Sequence, residues 1–138
     1  MALICDTGPL YAAMDRVDSD HDACNQLLSN SSERLLVPAP VVVELEWLSG
    51  SRLGLQPFSS FLADVEAEDV TIVDLIRADY ARIRDLLTRY ADLKLGFVDA
   101  AVLAIVERLN ERKLATLDHR HFSAIRPKHT DAIELLPH

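Results

Sequence analysis

The sequence predicts an α/β fold in which a parallel sheet is covered by helices on both faces. Two observations predict it. Short apolar runs of strand type recur along the 138 residues, and segments with helical spacing of apolar residues lie between them. No repeat or linker divides the chain, so we expect residues 1–138 to form a single domain.

Five short segments are expected to be strands, at residues 2–5, 35–37, 70–73, 114–117 and 133–136. After the first strand, Pro9 suits an opening helical turn, with Asp6 or Thr7 as its cap. Ser19 and Asp22 resemble a capping box at the start of a second helix. The alternation of strands with helices favours parallel pairing, because parallel strands require long crossover connections.

Pro40 is expected to open a helix after the second strand. Glu44 lies beside its apolar stripe, whereas Glu46 points away, so Glu44 should be the more buried carboxylate. A strand over residues 41–47 would place both glutamates on one side, but Pro38 and Pro40 favour the helix. The stripe consists of Val41, Leu45 and Leu48.

The second half of the chain predicts three further helices. A loop is expected over residues 50–57, and Gly96 should separate the last two of these helices. Asp99 should begin the last one, which is strongly apolar over residues 100–109. The apolar positions of the first two are Phe58, Phe61, Leu62 and Val65, then Ile76, Tyr80, Ile83, Leu87 and Tyr90.

Four acidic residues occupy positions that this topology would bring together. Asp6 and Asp118 follow strands, while Glu44 and Asp99 lie at or near helix starts. The carboxyl ends of strands in an open parallel sheet converge on one crevice. Carboxylates gathered there repel one another and must take up protons or bind a cation. Their oxygen atoms suit Mg²⁺ or Mn²⁺.

Each acid also has a purely structural explanation. Asp6 and Asp99 suit helix N-caps, where a carboxylate meets the positive end of the helix dipole. Glu44 suits a partly exposed helix position, and Asp118 suits a turn. What favours a shared site is the convergence of all four, which ordinary caps do not require.

Other side chains carry weaker signals. His119 and His121 are candidates for metal or phosphate binding, but a solvated loop is the commoner explanation because no zinc-type ligand spacing surrounds them. A second group of side chains suits base stacking, although packing in the core or in a dimer is the commoner role of such residues. That group contains Trp47, Phe58 and Phe61.

The composition is that of a globular protein, with 49% hydrophobic and 26% charged residues. A net charge of −8 predicts weak nonspecific attraction to nucleic acid, yet residues 108–129 hold six basic and two acidic residues. Cys5 and Cys24 lack the spacing of a disulfide framework, which favours reduced core residues and a cytoplasmic location. No apolar segment is long enough to span a membrane.

These motifs resemble those of PIN-domain ribonucleases, and the compact chain resembles the VapC-type toxins of toxin–antitoxin pairs. The resemblance runs nearly end to end and is densest at four motifs. They are Asp6-Thr7-Gly8-Pro9-Leu10, Pro-Val-Val-Val-Glu44-Leu, Leu-Gly-Phe-Val-Asp99-Ala-Ala and Thr116-Leu-Asp118-His-Arg-His-Phe122. The resemblance implies a Rossmann-like α/β/α sandwich with about five parallel strands, forming a single PIN domain.

The resemblance also implies an Mg²⁺- or Mn²⁺-dependent endoribonuclease that inhibits growth by cleaving RNA. Asp6, Glu44, Asp99 and Asp118 fall on the family's metal-binding positions, of which the fourth is the most variable. Family members of this type commonly form homodimers and are neutralised by a cognate antitoxin. The alternative is a catalytically silent PIN-like module that binds RNA or protein. Transfer, ribosomal and messenger RNA all remain open as targets.

Residues around the acids receive supporting roles. Thr7 and Thr116 fall on the family's hydroxyl positions and should hydrogen-bond the carboxylates and hold them in place. Arg112, Arg120 and Lys128 are the basic side chains expected to guide the RNA backbone.

Overall fold

A computed structural model describes residues 1–138. Its sheet has five strands, each parallel to its neighbours, in the order β3-β2-β1-β4-β5. The strands are β1 (Ala2–Cys5), β2 (Arg34–Pro38), β3 (Val70–Val73), β4 (Lys113–Ala115) and β5 (Glu134–Leu136). The predicted class and strand number are therefore confirmed.

Seven helices connect the strands, and none is long and apolar enough to cross a membrane. They are α1 (Thr7–Met14), α2 (His21–Ser29), α3 (Ala39–Leu53), α4 (Leu55–Glu66), α5 (Arg77–Arg89), α6 (Phe97–Arg108) and α7 (His119–Ala124). The chain runs outward from β1 to β3 and then returns across the sheet to β4. Since parallel crossovers are right-handed, this reversal places α5 and α6 on the face opposite α1–α4.

Residues of β1 and α6 belong to one cluster of buried hydrophobic side chains that forms the core. Every residue of β1 is buried, and residues 100–106 of α6 are buried all round the helix. Such a helix is apolar on every side because neighbours surround it. Its position fixes Asp99, which lies in its first turn.

Partly buried ion pairs join α6 to α5. The guanidinium of Arg82 donates to both carboxylate oxygens of Glu107, at 2.7 and 2.9 Å, and Nε of Arg108 lies 3.1 Å from Asp79. The two-pronged contact fixes distance and angle together. The helix that carries Asp99 is therefore held at its far end as well as by its apolar core.

Two local predictions are wrong. The expected loop at residues 50–57 is helical except at Gly54, whose φ of 81° and ψ of −171° separate α3 from α4. One glycine suffices because it reaches this backbone region without a Cβ clash. The capping box of Ser19 and Asp22 does not form, since α2 begins at His21 after Asp20 and has no side-chain cap.

Candidate active site

The acidic residues after β1 and β4 meet because these strands are neighbours at the point where the chain reverses its direction across the sheet. Crevices at such switch points are the usual ligand sites of open parallel sheets. The backbone N–H of Asp6 donates to the carbonyl of Ala115 at 2.8 Å. A Cβ on Gly8 would lie only 3.2 Å from that of Leu117. Glycine at this position therefore allows the start of α1 to pack closely against the loop after β4.

Asp6 is the most deeply placed of the acids. It is 6% exposed and caps α1, with Oδ1 accepting a hydrogen bond from the Thr7 amide at 2.9 Å. Its Oδ2 accepts from the hydroxyl of Thr116 at 2.9 Å. Thr116 is fully buried, and its hydroxyl oxygen also accepts from the amide of Asp118 at 3.0 Å. This one hydroxyl therefore links Asp6 to the loop that carries Asp118.

The surroundings of Asp6 disfavour its charged form. Burial raises the pKa of Asp6 from its ordinary value of 3.8 to about 6. Hydrogen bonds from Thr7 and Thr116 lower it, whereas the negative charges of Asp99 and Glu44 raise it further. A cation in the cavity would offset these unfavourable contributions.

Asp99 is the third residue of α6, two positions inside the helix start after Gly96. It is therefore a first-turn residue and not the N-cap that the sequence suggested. Asp99 is partly buried, and its pKa is raised by burial and then by the charge of Asp118, with a smaller contribution from Glu44. Its carboxylate therefore experiences the same accumulation of negative charge as Asp6.

Glu44 lies on α3 and shares the cavity with the aspartates, but its side chain is exposed. The expectation of a buried Glu44 is therefore wrong, whereas Glu46 is exposed as expected. The face of α3 that carries Glu44 borders an open groove, so no neighbouring element covers it. The helix itself, and the buried positions of Val41 and Leu45, are as predicted.

Asp118 caps α7 and makes two contacts with His121. Its Oδ1 accepts from the backbone N–H of His121 at 3.2 Å, and its Oδ2 lies 2.7 Å from Nδ1 of the imidazole. Ligand atoms of Asp99, Asp118 and His121 all lie within 4.8 Å of one another. Hydrogen bonding and the charge of Asp118 raise the pKa of His121. The sequence suggested a solvated loop here, although a histidine three residues after a capping aspartate was an available signal.

All four acids line one cavity of about 400 Å³. Its other lining residues are Thr7, Gly8 and Leu117. No lysine or arginine forms an ion pair with any of the four carboxylates. The Thr7 hydroxyl is buried and has no hydrogen-bond partner, so Thr7 contacts Asp6 through its amide alone. Carboxylates without lysine or arginine partners, beside a free hydroxyl, fit a hard divalent cation with bound water.

The three basic residues predicted to guide the RNA backbone lie in different parts of the structure. Arg120 is exposed on α7, two residues after Asp118. Arg112 precedes β4, at the opposite edge of the sheet from the acids, and donates to Thr130 at 3.2 Å. The amide of Lys128 donates to Glu107, at the end of α6 remote from Asp99. Of the three, only Arg120 lies on a helix that begins directly after a residue of the cavity, Asp118.

An apolar groove of about 940 Å³ adjoins the cavity, and Glu44 lines both. It lies between α3, α5 and α6, and its most exposed side chains are Val43, Trp47, Tyr80 and Phe97, with Trp47 71% exposed. The remaining predicted aromatics lie elsewhere, since Phe58 and Phe61 stack on α4 with centroids 5.8 Å apart. Exposed apolar side chains clustered in this way are typical of interaction surfaces.

Comparison of the sequence with known proteins finds a domain family and a relative. The sequence model of the PIN domain matches residues 3–127. Ribonuclease VapC26 of Mycobacterium tuberculosis is 32% identical over 125 residues, covering 91% of this chain and 93% of that protein.

Two solved structures share the fold at low sequence identity. VapC20 of M. tuberculosis, described as a sarcin–ricin loop cleaving toxin, has a TM-score of 0.76 at 18% identity and covers 82% of this chain and 87% of its own. A toxin–antitoxin complex from Klebsiella pneumoniae gives 0.69 at 18% identity, over 96% of this chain and 99% of that chain.

Proposed function

This chain belongs to the PIN-domain family, and on that premise we propose that it is an endoribonuclease dependent on Mg²⁺ or Mn²⁺. The observation that carries the proposal is the convergence of Asp6, Glu44, Asp99 and Asp118 on one cavity without a lysine or arginine partner. The 32% identity to a protein named as a VapC ribonuclease supports RNA as the substrate. We further propose that the chain is the toxin of a toxin–antitoxin pair.

The four carboxylates have different proposed roles in metal binding. Asp6 and Asp99 would hold the principal ion, Glu44 would contact it directly or through water, and Asp118 would serve a second or transient ion. When bound, the metal supplies an acidified water and neutralises charge on the phosphoryl group. Oxygen donors of this kind fit Mg²⁺ and Mn²⁺ equally well.

The protein's own groups orient the reactants. The Thr116 hydroxyl and the Thr7 amide fix both oxygens of Asp6, so this carboxylate cannot rotate away. Glu44 is open to solvent, and in this proposal it accepts a proton from the attacking water. Arg120 is placed to attract the phosphate backbone of RNA.

Purified protein should cleave a mixed RNA pool with Mg²⁺ or Mn²⁺ and leave it intact in chelator. Glu44→Gln should cleave about 100-fold more slowly, because a positioned general base contributes this order of rate. Glu46→Gln is the matched control on the same helix and should cleave at the wild-type rate. Mapping the cut ends by sequencing measures both rate and site.

Metal-independent cutting, or equal rates for the two glutamine variants, would contradict the assignment. A protein that binds RNA without cutting it under any metal condition would instead support the silent-module alternative.

The partners follow from the fold and the groove. We propose a homodimer that buries the apolar groove between α3, α5 and α6, and a cognate antitoxin that blocks the acidic cavity. The solved toxin–antitoxin complex of the same fold supports the antitoxin. We also propose that residues 1–138 form a single PIN domain in the cytoplasm, where the buried free thiols of Cys5 and Cys24 would stay reduced.

Trp47→Asp should weaken the dimer at least about 30-fold, because a tryptophan anchor at an interface commonly contributes about 2 kcal/mol or more and each 1.4 kcal/mol is tenfold. Leu55→Asp is the matched control, since Leu55 is 78% exposed but lies outside the groove. Sedimentation equilibrium measures both dissociation constants. A protein concentration of about 100 µM is high enough to populate even a weak dimer. A wild-type protein that stays monomeric at this concentration would refute the proposed interface.

A further inference from the structure

His121 holds both oxygens of Asp118 at once. The backbone N–H bonds Oδ1 at 3.2 Å, and ring Nδ1 bonds Oδ2 at 2.7 Å. An ionised carboxylate can only accept hydrogen bonds, so Nδ1 is the donor. The side chain of Asp118 is 35% exposed, and these two bonds restrict a carboxylate that would otherwise rotate freely.

The restricted carboxylate lies beside Asp99. Ligand atoms of Asp99, Asp118 and His121 fall within 4.8 Å of one another, whereas His121 is not among the residues that line the cavity. The imidazole therefore contacts Asp118 without itself lining the cavity, and its bond to Oδ2 fixes the carboxylate that does line it. Hydrogen-bond partners of metal-binding carboxylates hold these carboxylates in orientation and raise the affinity of the site for metal.

We propose that His121 is a positioning residue, which fixes Asp118 beside Asp99 and thereby sets the affinity of this corner for a divalent ion. The inference rests on the proposed function, because it requires that the cavity binds metal. It assigns a role to a side chain outside the four acids.

A purely helix-capping role makes a different prediction. The cap of α7 uses the backbone N–H of His121, which remains whatever side chain stands there. Removal of the imidazole should therefore leave α7 in place and affect only the Nδ1 contact. A measurement of metal affinity therefore distinguishes a positioning role of the His121 imidazole from a purely capping role.

The test measures Mn²⁺ binding to the full-length chain by titration calorimetry. His121→Ala should bind Mn²⁺ about 10–100-fold more weakly, the usual loss when such a partner is removed. His121→Asn places an N–H donor where Nδ1 stands and should remain within about threefold of wild type. His121→Gln places its amide near the position of Nε2 and should not restore binding.

His138→Ala is the matched control, because it removes an exposed imidazole 3.1 Å from Glu134 and away from the cavity. It should leave Mn²⁺ affinity unchanged. Thermal unfolding in chelator should give similar midpoints for all variants, which shows that lost affinity does not reflect lost folding.

Wild-type affinity in His121→Ala would overturn the inference and leave the nuclease assignment intact. Nitrogen coupling from His121 in the electron paramagnetic resonance spectrum of bound Mn²⁺ would also overturn it, by making the imidazole itself a ligand. Failure of the wild type to bind Mn²⁺ would overturn both the inference and the proposed metal dependence.

Discussion

Asp6→Asn should cleave RNA about 1,000-fold more slowly than wild type. A metal held by carboxylates contributes several kcal/mol of charge stabilisation, and each 1.4 kcal/mol changes the rate tenfold. Asparagine keeps an oxygen for the Thr7 amide and an N–H for the Thr116 hydroxyl, so the local fold should persist. Single-turnover cleavage of a defined RNA measures the loss.

The control for this variant is Asp22→Asn, which removes a carboxylate that is exposed in the first turn of α2. It should cleave at the wild-type rate. In chelator at neutral pH, Asp6→Asn should also unfold at a higher temperature than wild type, because it removes a buried charge repelled by Asp99 and Glu44. Cleavage within tenfold of wild type would show that Asp6 is a helix cap and no more.

The convergence of Asp6 and Asp118 could be anticipated from sequence because both follow short apolar strands. Parallel pairing then places them at the same edge, and a glycine beside Asp6 permits close packing of the loops. The same reasoning applied to Arg112 would have excluded it, since a residue that precedes a strand lies at the opposite edge. Strand polarity is therefore as informative as strand position.

The exposure of Glu44 could not be read from the pattern of α3. Helical periodicity identifies the face that packs on the sheet, and Val41 and Leu45 are indeed fully buried. Periodicity does not reveal whether another helix covers the side of α3 that carries Glu44. That depends on the separation of α3 from α5 and α6, which leaves Trp47 and Glu44 bordering an open groove.

The contact between His121 and Asp118 required the structure for a related reason. The sequence suggested a strand over residues 114–117 and a loop after it, whereas β4 ends at Ala115 and α7 begins at His119. Only the helical turn brings residues three apart onto the same side. An error of two residues in a strand end therefore concealed the hydrogen-bond partner of Asp118.

Metal-free protein should lose stability as the pH rises from about 4 to about 6, through the contribution of Asp6. Its pKa is raised to about 6 in the folded chain from an ordinary 3.8, so the folded state binds the proton more tightly than the unfolded state. Stability therefore falls with rising pH across this window. The difference between the two pKa values corresponds to about 3 kcal/mol.

Urea unfolding in chelator at pH 4, 5, 6 and 7 measures this slope, and Asp6→Asn isolates it because asparagine does not titrate. The gap between variant and wild type should widen in favour of the variant up to about pH 6 and then remain constant. Saturating Mn²⁺ should reverse the trend for wild type, since the ion binds the ionised carboxylate and adds stability as protons leave. If the difference in stability between variant and wild type does not depend on pH, Asp6 has the same pKa in the folded and unfolded chains. The cavity would then not disfavour the charged form of Asp6, and a cation would not be needed to offset it.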